Sequence, residues 1–339
     1  MKMKELISPT ETFTNFTAYP MQMNSTTIQR FIRLAQVTLI FVYLVIIAGS
    51  VVRATGSGMG CPDWPKCFGH WVPPTDVSQL PADYKAIYAG EHHAVAEFNA
   101  LNTWVEYGNR LFGAVLGVLI FIQFILSFRF RKSDKRIFTL SFLEFILIGF
   151  QGWLGAKVVS SNLAPVKITT HMVAALVILA IAITIIHRAK KLKGEQQENT
   201  IDPLIKRLGI AAILLTVLQV ILGTQVREEV DILLKNFDAV FRGQVVDHLG
   251  TAFKIHRTFS LVVMGINGWL IMKILKNDAA TLILKNKAKQ LAAVLVCAFA
   301  AGVILSFCAL PPAFQPVHFL LACIAFGLQY VIILRIWKR

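Results

Sequence analysis

Three observations predict an all-α integral membrane protein, with eight transmembrane helices arranged as two pseudo-twofold-related four-helix bundles. Of 339 residues, 55% are hydrophobic and 16% are charged, against about 25% charged in an average soluble chain. The apolar residues gather into eight runs, each near the ~20 residues that cross a ~30 Å hydrocarbon core as a helix. The second half of the chain also repeats the first at a fixed offset, as expected of one unit used twice.

The runs cover 31–52, 111–128, 137–159, 166–186, 208–226, 253–275, 291–310 and 317–337. Residues 1–29 before them are polar and have no apolar core, so the first run is expected to serve as an uncleaved anchor. Basic residues crowd into alternate loops: Arg129 to Arg136, Arg188 to Lys193 with Lys206 and Arg207, and Lys273 to Lys289, with Arg335, Lys338 and Arg339 at the end. The other loops are mixed or acidic. The positive-inside rule places both termini in the cytoplasm, and a bacterial inner membrane is the expected location. The net charge of +15 therefore reads as orientation in a lipid bilayer, and no nucleic-acid partner is expected.

The predicted organisation is a cytoplasmic segment (1–30), a first bundle (31–189), a cytoplasmic linker (190–206) and a second bundle (207–339). The first bundle carries the longest outer loop, 54–104, in which 84–100 reads as one or two short interfacial helices. The equivalent loop, 228–252, is shorter and is expected to hold a short helix around 232–241. Loops of this size on a rigid scaffold are more often lids or binding surfaces than spacers.

Of five cysteines, Cys297, Cys308 and Cys323 lie in apolar runs and read as small buried hydrophobes. Cys61 and Cys67 fall instead in the first outer loop, between prolines and glycines. On the oxidising side of the membrane a disulfide persists, and a loop staple is the leading reading. A short exposed disulfide is also redox-labile, so a redox role stays open.

The repeat places chemistry. His256 and His318 are 62 residues apart, and stepping back 147 from each reaches Asn109 and His171, again 62 apart. Arg257 falls on Arg110 by the same step. Gly49 to Arg53 and Gly223 to Arg227 share a Gly-x-x-x-Arg pattern at the ends of runs one and five. Paired residues on parallel helices sit at one depth, so His256 and His318 read as axial ligands of a b-type haem, held across a four-helix bundle. Four-ligand N/S clusters for zinc are absent from the sequence, as is Cys-x-x-Cys-His for covalent haem. Arg53, Arg110, Arg227 and Arg257 are candidates for propionates, with helix anchoring as the plain alternative.

Glu106 lies one turn before Asn109 and near membrane depth, where a carboxylate is costly and usually functional. It is expected on Asn109's face, with surface pairing to Arg110 as the alternative. Glu144 lies deeper, and either a helix-contact hydrogen bond or a proton path accounts for it. The halves are unequal: two histidines saturate an iron and suit electron transfer, whereas one histidine opposite an asparagine leaves a position for reaction.

These features together resemble the haem A synthase family over most of the chain. The resemblance rests on the eight spans, the Cys61/Cys67 pair, Glu-Tyr-x-x-Arg at Glu106 to Arg110, Ile-His-Arg at His256, and His171 and His318. It implies oxidation of the C8 methyl of haem O to the formyl group of haem A. It also implies a haem b cofactor at His256 and His318, substrate haem at His171 and Asn109, and a catalytic Glu106. The family pattern has His where this chain has Asn109, and His93, with its neighbour His92, is the candidate replacement ligand. A second outer-loop cysteine pair found in some relatives is absent. Expected partners are lipid, the enzyme that makes haem O, terminal oxidase assembly proteins and further copies of the chain. The competing readings are a di-haem electron carrier and a haem-transfer factor.

Overall fold

The computed structural model describes residues 24–89, 97–161, 163–194, 202–236 and 245–337. Its α-helices are α1 (Ser25–Ala54), α2 (Tyr84–Ile87), α3 (Ala100–Ser127), α4 (Lys135–Ser160), α5 (Pro165–Leu192), α6 (Pro203–Asn236), α7 (Thr251–Leu275), α8 (Leu282–Phe307) and α9 (Phe314–Ile336), with no β-strand among the described residues. All except α2 are long and apolar enough to cross a membrane. The chain is an all-α integral membrane protein. Helices are the expected solution, because backbone groups in hydrocarbon must be paired within the segment.

Helix starts follow local chemistry. Asn24, Asn99 and Asp134 each accept a backbone N–H in the first turn of α1, α3 and α4, and Pro165 opens α5, where its missing N–H costs nothing. Asp134 also holds Arg188 at 2.8 and 2.9 Å, tying the start of α4 to the end of α5.

Three helices overrun their apolar runs by about nine residues or more at one end. Helix α3 begins at Ala100, because the loop before it covers Thr103 and Glu106. Helix α6 continues to Asn236, since arginines neutralise Asp231 on its last turns. The short helix expected around 232–241 is thus partly the end of α6, and 237–241 lies outside the described residues. Helix α8 begins at Leu282, so that Lys285, Lys287 and Lys289 lie on its first turns, where long cationic side chains would reach a membrane interface.

In the first half α1 packs on α3 and α5, α3 on α4, and α4 on α5. In the second, α6 packs on α7 and α9, α7 on α8, and α8 on α9. The same ring closes twice. Between halves α1 meets α9, α5 meets α6, and α5 meets α9. Exchanging α1 with α6 and α5 with α9 returns the same set, the pattern that a pseudo-twofold axis would produce. One buried cluster spans the seam, from Val42 and Ile46 through Leu179 and Ile183 to Val220, Cys323 and Phe326. In lipid such contacts act through close packing rather than through release of water.

The loop between α1 and α3 folds as a small cap. Phe68 is its centre, with the rings of Tyr84, Tyr88 and Phe98 edge-on at 5.6–5.9 Å. The chain turns there with Phe68 and Gly69 both at positive φ, and the Asp63 carboxylate accepts from both their N–H groups. Of the one or two helices expected within 84–100, the described residues contain only α2.

Candidate functional site

Each of the four candidate ligand positions is packed against a glycine of the preceding long helix. A Cβ at Gly223 would lie 3.2 Å from His256 Cε1, and one at Gly302 would lie 3.2 Å from His318 Cε1. In the first half the corresponding approaches are Gly155 to His171 at 3.6 Å and Gly49 to Asn109 at 3.7 Å. Missing side chains on α1, α4, α6 and α8 thus make four matching recesses. The Gly-x-x-x-Arg pattern marked two of them in the sequence. Gly155 and Gly302, also 147 apart, carried the same signal for the other two.

In the second half the rings of His256 and His318 face one another, with centroids 6.4 Å apart and planes at 73°. Two imidazole–metal bonds of about 2 Å, with the ring radii added, come to about the same span. His318 Nδ1 donates to the Ala298 carbonyl at 2.9 Å, which fixes the tautomer and leaves Nε2 as the ligating nitrogen. His256 Nδ1 is buried without a partner. Its backbone carbonyl accepts from Gln219, whose amide nitrogen also stands 3.4 Å from Nε2. The donor set and the glycine recesses fit a metal centre held by two imidazoles.

The first half keeps the recesses and changes the donors. Gln151 donates to the His171 carbonyl at 3.0 Å, much as Gln219 does to His256. His171 Nδ1 and Asn109 Oδ1 are buried without partners. His92 and His93 lie outside the described residues.

Glu106 is 3% exposed and does not pair at the surface. Its carboxylate accepts from the Cys61 N–H at 3.0 Å and from Arg110 at 2.6 Å. Arg110 also donates to the carbonyls of Cys61, Asp63 and Lys66. Cys61 and Cys67 form a disulfide, and both are fully buried. The exposure that redox lability called for is therefore missing. Gly60 lies so close to α3 that a Cβ would meet the Asn102 carbonyl at 2.5 Å, and Thr103 Oγ1 donates to the Gly60 carbonyl. The disulfide loop is clamped onto α3 at the Glu106–Arg110 turn.

The four arginines part company. Arg53 and Arg227 both pair with Asp231, at 2.8 and 2.7 Å, and Arg227 also donates to Gln315 and to the Arg53 carbonyl. They join the ends of α1 and α6 across the seam. The sequence reading missed Asp231, which lay in a loop treated as mixed. Arg110 is held by the disulfide loop. Arg257 is exposed and lies over the Phe253 ring, 5.6 Å from its centroid, so it is the candidate whose guanidinium stays open to a carboxylate.

Comparison with known proteins follows the same lines. Residues 32–330 match the COX15-CtaA family, described as cytochrome oxidase assembly protein. A Shewanella oneidensis protein named Heme A synthase is 26% identical over 190 residues, 56% of this chain and 54% of the relative. Bacillus cereus and Bacillus anthracis proteins of the same name are 30% identical over 145 residues, 42% of this chain and 39% of theirs. The chain spans about half or less of the length of the curated relatives it matches.

Proposed function

The chain belongs to the COX15-CtaA family of cytochrome oxidase assembly proteins, and from that premise we propose that it is a heme A synthase-type membrane oxidoreductase. Its substrate is haem O, and its reaction takes the C8 methyl group to the formyl group of haem A. The observation that carries the reading is one recess built four times and furnished with two different donor sets. His256 and His318 would hold haem b in the second half. His171, with Asn109 opposite, would hold substrate haem in the first.

His256 and His318 would hold a haem b, which would supply one-electron transfer when bound. The residues of the chain do the rest. Gly223 and Gly302 let the imidazoles lie against neighbouring helices, and the Ala298 carbonyl keeps His318 in one tautomer. Arg257 would grip a propionate, a reading supported by its exposed guanidinium. In the first half Asn109 cannot supply an imidazole, so His171 would be the principal ligand of substrate haem. Glu106 holds or moves a proton beside that site, with Arg110 and the Cys61 N–H fixing its two oxygens. The disulfide loop covers the Glu106 turn as a cap.

The two bundles are related by a pseudo-twofold axis, divided as 31–189 and 207–339 by the 190–206 linker. Both termini face the cytoplasm from a bacterial inner membrane, consistent with the basic residues on one side. An enzyme producing haem O and terminal oxidase assembly proteins are its partners in this reading, and homo-oligomers are compatible with it. The test is extraction of haems from cells supplied with haem O, with and without this protein. Haem A should appear only with it. Equal haem A in both refutes the reading.

A further inference from the structure

Beneath the first-half site lies a buried carboxyl that the proposed chemistry leaves unused. Glu144 on α4 is 0% exposed and Gln123 on α3 is 1% exposed. The Gln123 amide donates to Glu144 Oε2 at 2.7 Å. The other oxygens of this pair, Glu144 Oε1 and Gln123 Oε1, are both buried and both without a partner. Two acceptors cannot satisfy one another, and Glu144 takes part in none of the ion pairs found among the described residues. A proton on Oε1 would turn that oxygen into a donor, and the unpartnered Gln123 Oε1 is the acceptor available on the same pair. An ionised carboxylate with one neutral donor would be costly at this depth.

We propose that Glu144 and Gln123 form a proton-holding site, a neutral carboxylic acid paired with a carboxamide inside the first bundle. The second half shows that the fold does not need it. The positions 147 further on are Leu270 and Leu291, both fully buried. The second half has a polar group of its own, in which Gln329 donates to Thr216 and Asn267 at 2.8 Å, but that group is neutral and cannot titrate. Glu144 shares the buried stripe of α4 with Gln151, whose amide reaches the His171 carbonyl, and Gly155, one turn on, abuts His171. The ionisable pair therefore sits only in the half whose donors leave room for reaction. Its use as a proton reserve for that site rests on the function proposed above.

Infrared spectroscopy of the purified protein in an ester-free detergent tests the site without substrate. A carboxylic-acid C=O stretch should be present at neutral pH, shifted by deuterium exchange or on removal of the Gln123 donor in Gln123→Leu. Glu144→Gln should remove it and Glu106→Gln should leave it. Absence of the band from the unsubstituted protein, or its survival in Glu144→Gln, overturns the proposal. The double variant Gln123→Leu/Glu144→Leu, which copies the second half, should keep its fold and second-half pigment and lose haem O conversion by at least tenfold. Full conversion in that variant removes the pair from the chemistry. If the unsubstituted protein makes no haem A, the proposed function fails while the infrared result stands.

Discussion

The turn that carries Glu106, Asn109 and Arg110 and the turn that carries Phe253, His256 and Arg257 are the same element, 147 residues apart. In the first, Glu106 and Arg110 form a buried ion pair at 2.6 Å and grip the disulfide loop. In the second, Phe253 replaces the acid, and Arg257 lies over its ring with the guanidinium exposed. Removing one carboxylate turns a loop clamp into an open cation. The backbone frame survives the change, because both turns rest on glycine recesses of the neighbouring helix. What the pair teaches is that the packing is the same in both halves while the donors differ, two imidazoles in one and an imidazole opposite a carboxamide in the other.

The strongest way to break the comparison is to remove a second-half histidine. His256→Ala or His318→Ala should abolish the low-spin b-type spectrum of the purified protein, and an unchanged spectrum in both would sink the assignment. Next comes the clamp. Arg110→Ala leaves Glu106 buried and unpaired, which costs about 3–5 kcal/mol, so limited proteolysis should cut the loop between 57 and 72. Arg257→Ala loses an exposed contact worth about 0.5–1 kcal/mol; it should leave the melting temperature nearly unchanged while lowering haem retention.

Glu106→Gln keeps the shape of the clamp and removes its charge. It should retain the second-half haem yet slow haem O conversion about 100-fold or more, the lower range for loss of a proton-transfer group. Chromatography of the bound haems, normalised to haem b, reads this directly, and wild-type output would take the carboxylate out of the mechanism. The glycines give a smaller effect. Gly223→Ala and Gly302→Ala place a methyl 3.2 Å from an imidazole, and overpacking of about 1–3 kcal/mol should weaken haem retention. Gly155→Ala and Gly49→Ala, at 3.6 and 3.7 Å, should be tolerated. Similar losses at all four would show that the recesses do not distinguish the halves. The smallest change is expected from Asn109→His, which restores the second-half residue type and should leave conversion within about twofold if His171 is the principal ligand; a spectrum of two saturated haems with conversion lost would show that the open position matters.

The eight spans, their alternating charge and the 62-residue spacing of the candidate ligands were legible because each is written locally or at a fixed offset. A run of apolar residues is a span wherever its neighbours lie, since lipid imposes the length. The ends were harder to read. Helix α3 starts eleven residues before its apolar run, because the loop shields Glu106, and α6 runs ten residues beyond its own, because Arg53 and Arg227 meet Asp231.

The partners of the charged groups were decided by tertiary structure alone. Arg53 finds Asp231 across 178 residues, and Glu106 finds the Cys61 N–H across 45. The sequence left Arg53 between a propionate and helix anchoring, and Glu106 between Asn109's face and surface pairing with Arg110. Which way each points depends on the rotation of every helix about its axis and on the path of one loop, both set by packing against helices far away in the chain. Glu144 shows the same division: the sequence left it between a helix-contact hydrogen bond and a proton path, and only the structure supplied Gln123 on the neighbouring helix as its hydrogen-bond partner.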